Sequence, residues 1–290
     1  MAVSTQTAMR LPAPAKLNRF LHVTGRRGDG YHTLETLLVP IDHCDWITLT
    51  PRDGTEIVRA RGPAAIAPED DLALRAARLL QRRAGVERGV AVEVEKHIPV
   101  GSGLGGGSSD AATVLLGLNR LWKLEWSRGA LMALALELGA DVPFFLFGEP
   151  AFATGIGEVL ERFSIPPTWF VVVTPRVMVS TAAIFAAPEL TRHTPSARIQ
   201  AFSEAYGGND LQAVAASRFP EISTCLAGLA REVTSDVRVA MSGSGSSVFA
   251  AFADEDAAVQ TLSRAARGGE LTGFVARALD RHPLQHFATP

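Results

Sequence analysis

Five of the seven residues from Gly101 to Gly107 are glycine, and Ser108, Ser109 and Asp110 follow them directly. No strand or helix interior accepts that density of glycine, whereas a loop whose backbone closes around a ligand does. The serines and the aspartate offer N-cap and first-turn chemistry, after which Ala111, Ala112, Leu115, Leu118 and Trp122 recur with a helical period. Such a loop leaves unpaired N–H groups pointing one way with a helix dipole behind them, which suits an anion and above all a phosphate. Elsewhere Lys16 and Asn18 stand two apart in an apolar stretch, so a strand would project both from one face. A solvated strand face would also explain them. Asp141 could work in the same cleft, or simply cap the short apolar segment that follows it.

The glycine spacing has two familiar alternatives. Gly101-x-Gly103-x-x-Gly106 matches the dinucleotide fingerprint, but that unit needs a buried parallel strand before it and an acid on a second strand about twenty residues later. Here the preceding stretch alternates Val90, Val92 and Val94 with Glu93 and Glu95, the mark of a strand with one wet face. Glu125 has the right spacing, yet it follows the helix directly and leads into another helical pattern. A Walker A loop requires Gly-Lys-Ser/Thr, and position 108 is serine. What is left is a phosphate loop of a third kind.

The elements that must position these groups follow from periodicity. Residues 12–24 read as a strand with Leu17, Leu21 and Val23 on one face and Lys16, Asn18, Phe20 and His22 on the other. A glycine-rich turn at 25–30 precedes Tyr31 and His32, and strands are expected at 33–39 and 45–50, joined around Pro40. Glu69, Asp70 and Asp71 should cap a helix that buries Leu72, Ala76, Leu79 and Leu80 and stops at Gly85. The strand at 89–98 carries Lys96; a helix at 127–138 stops at Gly139; and 151–163 forms two short strands turning at Gly155 or Gly157. Pro166-Pro167 marks a boundary between domains at 1–165 and 166–290. Beyond it, strands at 169–174, 237–241, 247–252 and 274–278 are interspersed with helices at 181–186, 210–217, 221–233 and 255–267. That order suggests an α+β sandwich packed beside the first domain.

At 290 residues, 47% apolar and 20% charged, the chain can bury a sizeable core. A net charge of −2 without a basic block argues against nucleic acid or an anionic membrane as partner. No apolar run approaches the length of a membrane span, and the polar start at 1–11 lacks a signal-peptide core. Cys44 and Cys225 match no metal or redox spacing, which fits a reducing cytoplasm.

Three segments, Pro14-Ala-Lys16-Leu-Asn18, the loop at 99–110 and Ser242-Gly-Ser-Gly-Ser246, resemble in order and spacing the three motifs of the galactokinase, homoserine kinase, mevalonate kinase and phosphomevalonate kinase (GHMP) superfamily. Gly25-Arg-Arg-Gly-Asp-Gly-Tyr31-His32-Thr-Leu, Leu138-Gly-Ala-Asp141-Val-Pro-Phe144 and Ala183-Ile-Phe185 are similar to the branch that phosphorylates a cytidine diphosphate-linked methylerythritol in the non-mevalonate isoprenoid pathway. The likeness spans about residues 12–286.

The resemblance implies an α+β, two-domain GHMP kinase fold. Its N-terminal domain would be like ribosomal protein S5 and its C-terminal domain a ferredoxin-like sandwich, with a deep cleft between them. ATP, arriving with Mg²⁺, would phosphorylate the 2-hydroxyl of the substrate. Position by position, Lys16 and Asp141 match the catalytic pair and Asn18 a substrate contact. ATP would lie along Lys96, Pro99, Gly101, Gly103, Leu104, Gly105, Gly106, Gly107, Ser108 and Ser109, with Asp71 near the adenine. Asp71 stands where the family has asparagine and cannot donate as an amide can. Arg19 likewise interrupts a strand that is usually apolar. Tyr31, His32, Thr181 and Phe185 match substrate residues, Tyr31 and Phe185 sandwiching the cytosine while His32 reads its edge. Gly243, Ser244 and Gly245 match the third motif, which supports the loop and cleft. No dedicated metal site is implied, Ser109 and Asp141 being only neighbours of the Mg²⁺. The partners are ATP and the small-molecule substrate, and the state a monomer or homodimer. Two competing readings are a GHMP kinase for another alcohol, homoserine- or mevalonate-like, and a catalytically silent sugar-binding relative. The aromatic set argues against the first, and Lys16 with Asp141 against the second.

Overall fold

Two long strands open the chain, β1 (Met9–Arg26) and β2 (His32–Arg52), paired antiparallel through a turn at 27–31. The computed structural model describes residues 7–196, 208–268 and 271–289, so residues 1–6 of the polar start lie outside it. The first sheet adds β3 (Ile57–Arg61), β4 (Gly89–Glu95), β5 (Ala151–Thr154) and β6 (Val159–Arg162) in the order β3-β4-β2-β5-β6, with β1 on β2. Four helices are threaded through the same part of the chain: α1 (Leu72–Ala84), α2 (Gly106–Leu121), α3 (Arg128–Ala135) and α4 (Val142–Phe147). Their apolar faces form one core with Leu49, Val90, Val92 and Val94 of the sheet, while Glu93 and Glu95 stay partly exposed, as the alternation foretold.

The second sheet is wholly antiparallel. It consists of β7 (Trp169–Val173), β8 (Val239–Met241), β9 (Val248–Phe252) and β10 (Gly273–Arg277) in the order β10-β7-β9-β8. Helices α5 (Thr181–Phe185), α6 (Asp210–Arg218), α7 (Pro220–Ala230) and α8 (Glu255–Ala265) accompany it, and Ile184, Leu211, Ile222 and Ala258 enter its core. A third cluster joins the two sheets: Leu17, Leu37 and Phe152 from the first pack with Phe170 and Phe249 from the second. Among the described residues no helix is long and apolar enough to cross a membrane.

Two corrections concern the first hairpin. The strands expected at 33–39 and 45–50 are one strand that runs through Pro40, opposite Lys16 in the ladder. Pro40 has no N–H to donate, but its carbonyl accepts from Leu279 at 2.8 Å. Nor does β1 keep one alternation. Its register slips between Pro14 and Ala15 and again between Asn18 and Leu21, and each slip exchanges the faces. Leu11 and Ala13 therefore enter the first core, Ala15, Leu17 and Phe20 the layer between the sheets, and Leu21 and Val23 the second core. Leu17 does not share a face with Leu21. Between the slips Lys16 and Asn18 point opposite to Leu17, and both are buried.

Candidate active site

Lys16 and Asn18 sit on the wall of a cavity of about 540 Å³, and the glycine loop, Asp141, Thr181, Phe185, Gly243 and Ser244 line the rest of it. A solvated strand face is excluded: the side chain of Lys16 is 4% exposed. Its ammonium donates to Asn18 Oδ1 at 2.5 Å and lies 3.5 Å from Asp141 Oδ2. Asp141 is the N-cap residue of α4 by position, but its backbone is already helical and its side chain makes no capping bond. The carboxylate is turned to Lys16 instead. Asn18 is held from three directions, since its Nδ2 donates to Thr36 Oγ1 at 2.9 Å and its N–H to Ser242 Oγ at 3.1 Å. Thr36 in turn donates to the carbonyl of Phe20, in the second slip of β1.

The glycine loop is locked by backbone geometry. Gly101, Gly103 and Gly105 all have positive φ, and the Leu104 carbonyl accepts from Lys16 N–H at 2.9 Å. A Cβ on Gly103 would stand 2.2 Å from the carbonyl oxygen of Ser242, so the third motif packs directly on the loop. Ser242 Oγ donates to the Gly103 carbonyl at 3.1 Å, and Ser247 N–H to the Ser102 carbonyl at 2.9 Å. The expected Ser108-Ser109-Asp110 cap is absent. Gly105 is the N-cap of α2 and supplies no side chain, while Ser109 N–H, bonded to the Gly105 carbonyl, is the first with an intrahelical acceptor. The N–H groups of Gly106, Gly107 and Ser108 are thus left by the helix for a ligand, which a serine cap would have satisfied.

A family-model match assigns residues 71–149 to the GHMP kinases N terminal domain and residues 186–271 to the GHMP kinases C terminal. The chain is 53% identical over 276 residues to the 4-diphosphocytidyl-2-C-methyl-D-erythritol kinase of Thiobacillus denitrificans, covering 95% of this chain and 97% of that one. It is 50% identical to the enzyme of the same name from Nitrosospira multiformis, covering 99% and 96%. This chain belongs to the 4-diphosphocytidyl-2-C-methyl-D-erythritol kinase family. A solved structure of a 4-(cytidine 5'-diphospho)-2C-methyl-D-erythritol kinase superposes with a TM-score of 0.79 at 37% identity, covering 93% of this chain and 99% of that one. The two-domain GHMP kinase fold expected from the sequence is the fold observed.

For a GHMP kinase, several expected positions carry unexpected partners. Lys96 borders the cavity, but its ammonium is shared between Asp45 and Asp110, at 2.7 Å from the latter. Burial opposes the charge on Lys96, yet Asp110 and Asp45 hold it above the usual lysine range. Burial pushes the Asp110 carboxyl up to about 8, against the pull of Lys96. Asp71 reaches the cavity too, with Oδ1 capping α1 at Ala73 and Oδ2 3.5 Å from Arg59.

The aromatic wall differs most from expectation. His32, not Tyr31, lies against Phe185, with ring centroids 5.2 Å apart and planes 27° apart. Tyr31 is 61% exposed, and neither it nor His32 is part of the cavity lining, so of the three expected cytidine residues only Phe185 borders the cavity. At this separation the two stacked rings leave no slot for a base between them. Sequence reasoning also missed Asn209. As N-cap of α6 it accepts from Leu211, and its Nδ2 donates to the carbonyls of Met241 and Gly243 at 2.8 and 2.7 Å. An Asn before a helix signals a cap, but nothing local signals that its amide also fixes the third motif. Thr181 is joined to that motif directly, its hydroxyl 2.8 Å from that of Ser244.

Among the described residues no group of three or more His, Cys, Asp or Glu side chains is arranged to hold a metal ion. Ser109 Oγ is buried with no hydrogen-bond partner, and Asp141 presents a partly exposed carboxylate. These hard oxygen donors suit an Mg²⁺ that brings phosphate oxygens and water as its other ligands.

Proposed function

We infer that this kinase transfers the γ-phosphoryl group of ATP to the 2-hydroxyl of 4-diphosphocytidyl-2-C-methyl-D-erythritol. The observation that carries the reading is the meeting of Lys16 and Asp141, 3.5 Å apart, beside the open N-terminus of α2 in one cavity. Phosphoryl transfer has a loose transition state, so catalysis consists mainly of positioning and charge neutralisation. The N–H groups of Gly106 to Ser108 take the phosphates, and the ammonium of Lys16 faces the charge that develops in transfer. Asn18 holds that ammonium in place from within the same strand.

Asp141 orients the acceptor hydroxyl. As the new O–P bond forms and ADP leaves, the hydroxyl proton passes to its carboxylate. When bound, Mg²⁺ would supply neutralisation of phosphate charge, and the oxygens of Asp141 and Ser109 would be the side-chain donors to hold it. Phe185 on the cavity wall, with His32 stacked on it, forms the cytidine end, Tyr31 would have to move inward to join it, and the His32–Phe185 stack must part or slide to seat a base. An ADP-release assay across alcohols with and without a cytidine diphosphate handle tests the assignment. Strong preference for the cytidine-linked alcohol is expected, and equal use of both would overturn it.

A further inference from the structure

One guanidinium ties together Phe185, which lines the cavity, and His32, which stacks on that ring but is not itself part of the lining. Arg192 Nε donates to His32 Nε2 at 3.1 Å, while Nη2 donates to the carbonyls of Phe185 at 3.2 Å and Ala187 at 2.5 Å. Nη1 holds the Leu190 carbonyl at 3.0 Å, so the side chain is anchored on its own loop before it reaches across to His32. Arginine has donors and no acceptor. The Nε2 atom of His32 must therefore present its lone pair, and the proton of the neutral ring must sit on Nδ1. Burial, then the charges of Arg192 and Arg26, lower the affinity of His32 for a second proton, which keeps the ring neutral. Among the described residues no hydrogen bond uses Nδ1 of His32.

We propose that Arg192 sets the base selectivity of this kinase by locking His32 as an Nδ1–H donor. This deepens the cytidine reading above and rests on it. Cytosine offers acceptors at N3 and O2 along its pairing edge, whereas the N3 of uracil carries a hydrogen. A fixed donor welcomes the first and meets a second donor in the other, leaving two polar groups unpaired. Stacking cannot make this distinction, because both bases have similar π-faces. Arg192 touches no substrate in this scheme and is a positioning residue.

The test uses the full chain labelled with ¹⁵N-histidine, together with cytidine- and uridine-linked substrates. In the wild type, ring ¹⁵N shifts of His32 should show a proton on Nδ1 and none on Nε2. Arg192→Ala should release the ring to a mixture of tautomers. The ratio of kcat/KM for cytidine over uridine should then fall on the order of tenfold, as for one lost hydrogen bond to the base. The change should appear in the KM of the cytidine-linked substrate rather than in kcat. Arg192→Lys, which keeps a donor, should restore most of the ratio. Should Arg192→Ala fail to fold, the wild-type tautomer still decides: a proton on Nε2 overturns the proposal. An unchanged base ratio in folded Arg192→Ala also overturns it, with His32→Ala showing whether His32 reads the base by itself. If wild type uses both bases equally while His32 carries its proton on Nδ1, the cytidine reading fails and the lock on the ring stands.

Discussion

At the glycine-loop end of the cleft, the working groups are held by backbone. Lys16 and Asn18 are fixed by two register slips in one strand, and Gly103 is clamped between the Leu104–Lys16 bond and the carbonyl of Ser242. At the aromatic end, His32 and Phe185 come from opposite halves of the chain and meet through side chains, with Arg192 as their common tether. A backbone-built site tolerates almost no change in conformation, whereas a side-chain-built site can lose one member and keep its shape. Substitutions at the first end should therefore strike kcat or folding, and those at the second should strike substrate affinity.

The largest effect belongs to Asp141. Asp141→Asn keeps the shape and removes the charge, so kcat should fall on the order of 10²–10⁴ with little change in ATP affinity. Near-native turnover in the folded variant would reduce Asp141 to a helix-start residue. Lys16→Ala should be at least as severe. The double variant should cost far less than the two losses combined, since the pair acts as a unit.

Two loop glycines sharpen the contrast within one motif. Gly103→Ala places a Cβ 2.2 Å from a backbone oxygen at a φ of +78°, and backbone cannot swing aside. Left-handed strain and the clash together should cost about 3 kcal/mol or more, lowering Tm by roughly 6–12 °C in a melting scan. Gly107→Ala meets only Leu72, at an ordinary 3.6 Å, inside a helix that prefers alanine. Its Tm should be unchanged or slightly higher. Equal losses in both would show that the Gly103–Ser242 contact is not what holds the loop.

This pair also marks what could be read from the sequence. The glycines at 101, 103 and 105 announce a backbone that other residues would strain, and positive φ is what the structure shows at all three. Caps and periodicity likewise located most helices, including the αL stop at Gly85. The slips of β1 were not legible, because an extra residue in one strand is defined only by its partner strand. The anchors Ser242, Asn209 and Arg192 were hidden for a related reason. Each makes a bond to an atom between 32 and 224 residues away, and a hydroxyl, amide or guanidinium carries no local mark of so distant a partner. The same blindness covers Tyr31: its position beyond a turn is evident in the sequence, but the exposure of its side chain is not.

At the aromatic end the effects should be on KM. Phe185→Ala removes a stacking face and should raise the KM of the cytidine-linked substrate roughly 5- to 150-fold, while leaving the KM of ATP alone. Tyr31→Ala should have the smaller effect of the two, because the ring is 61% exposed and must move inward to meet a base. If Tyr31→Ala proved the more damaging, the rim would close over the substrate and the His32–Phe185 stack would be a resting arrangement.

The smallest effect is the one that pH should produce. His32 has its pKa lowered by burial first, then by Arg192 and Arg26, so its neutral form is favoured in the folded protein. A histidine of this kind is neutral at and above its ordinary pKa of about 6.5, and its contribution fades as pH falls through its lower folded value. If base recognition needs the neutral ring, the KM of the cytidine-linked substrate should stay level from pH 8 to about pH 6.5 and rise only in more acid solution. Arg192→Ala removes one cause of the lowered pKa, so the rise should begin at a higher pH, giving a KM difference of a few-fold at pH 6 beyond any difference at pH 8. The KM of ATP, measured in the same solutions, should not share this onset, because among the described residues the contacts of the His32 ring are with Arg192 and Phe185 and not with the glycine loop. A common onset for both substrates would place the titrating group in the shared machinery around Lys16 and Asp141, and the two ends of the cleft would then be coupled after all.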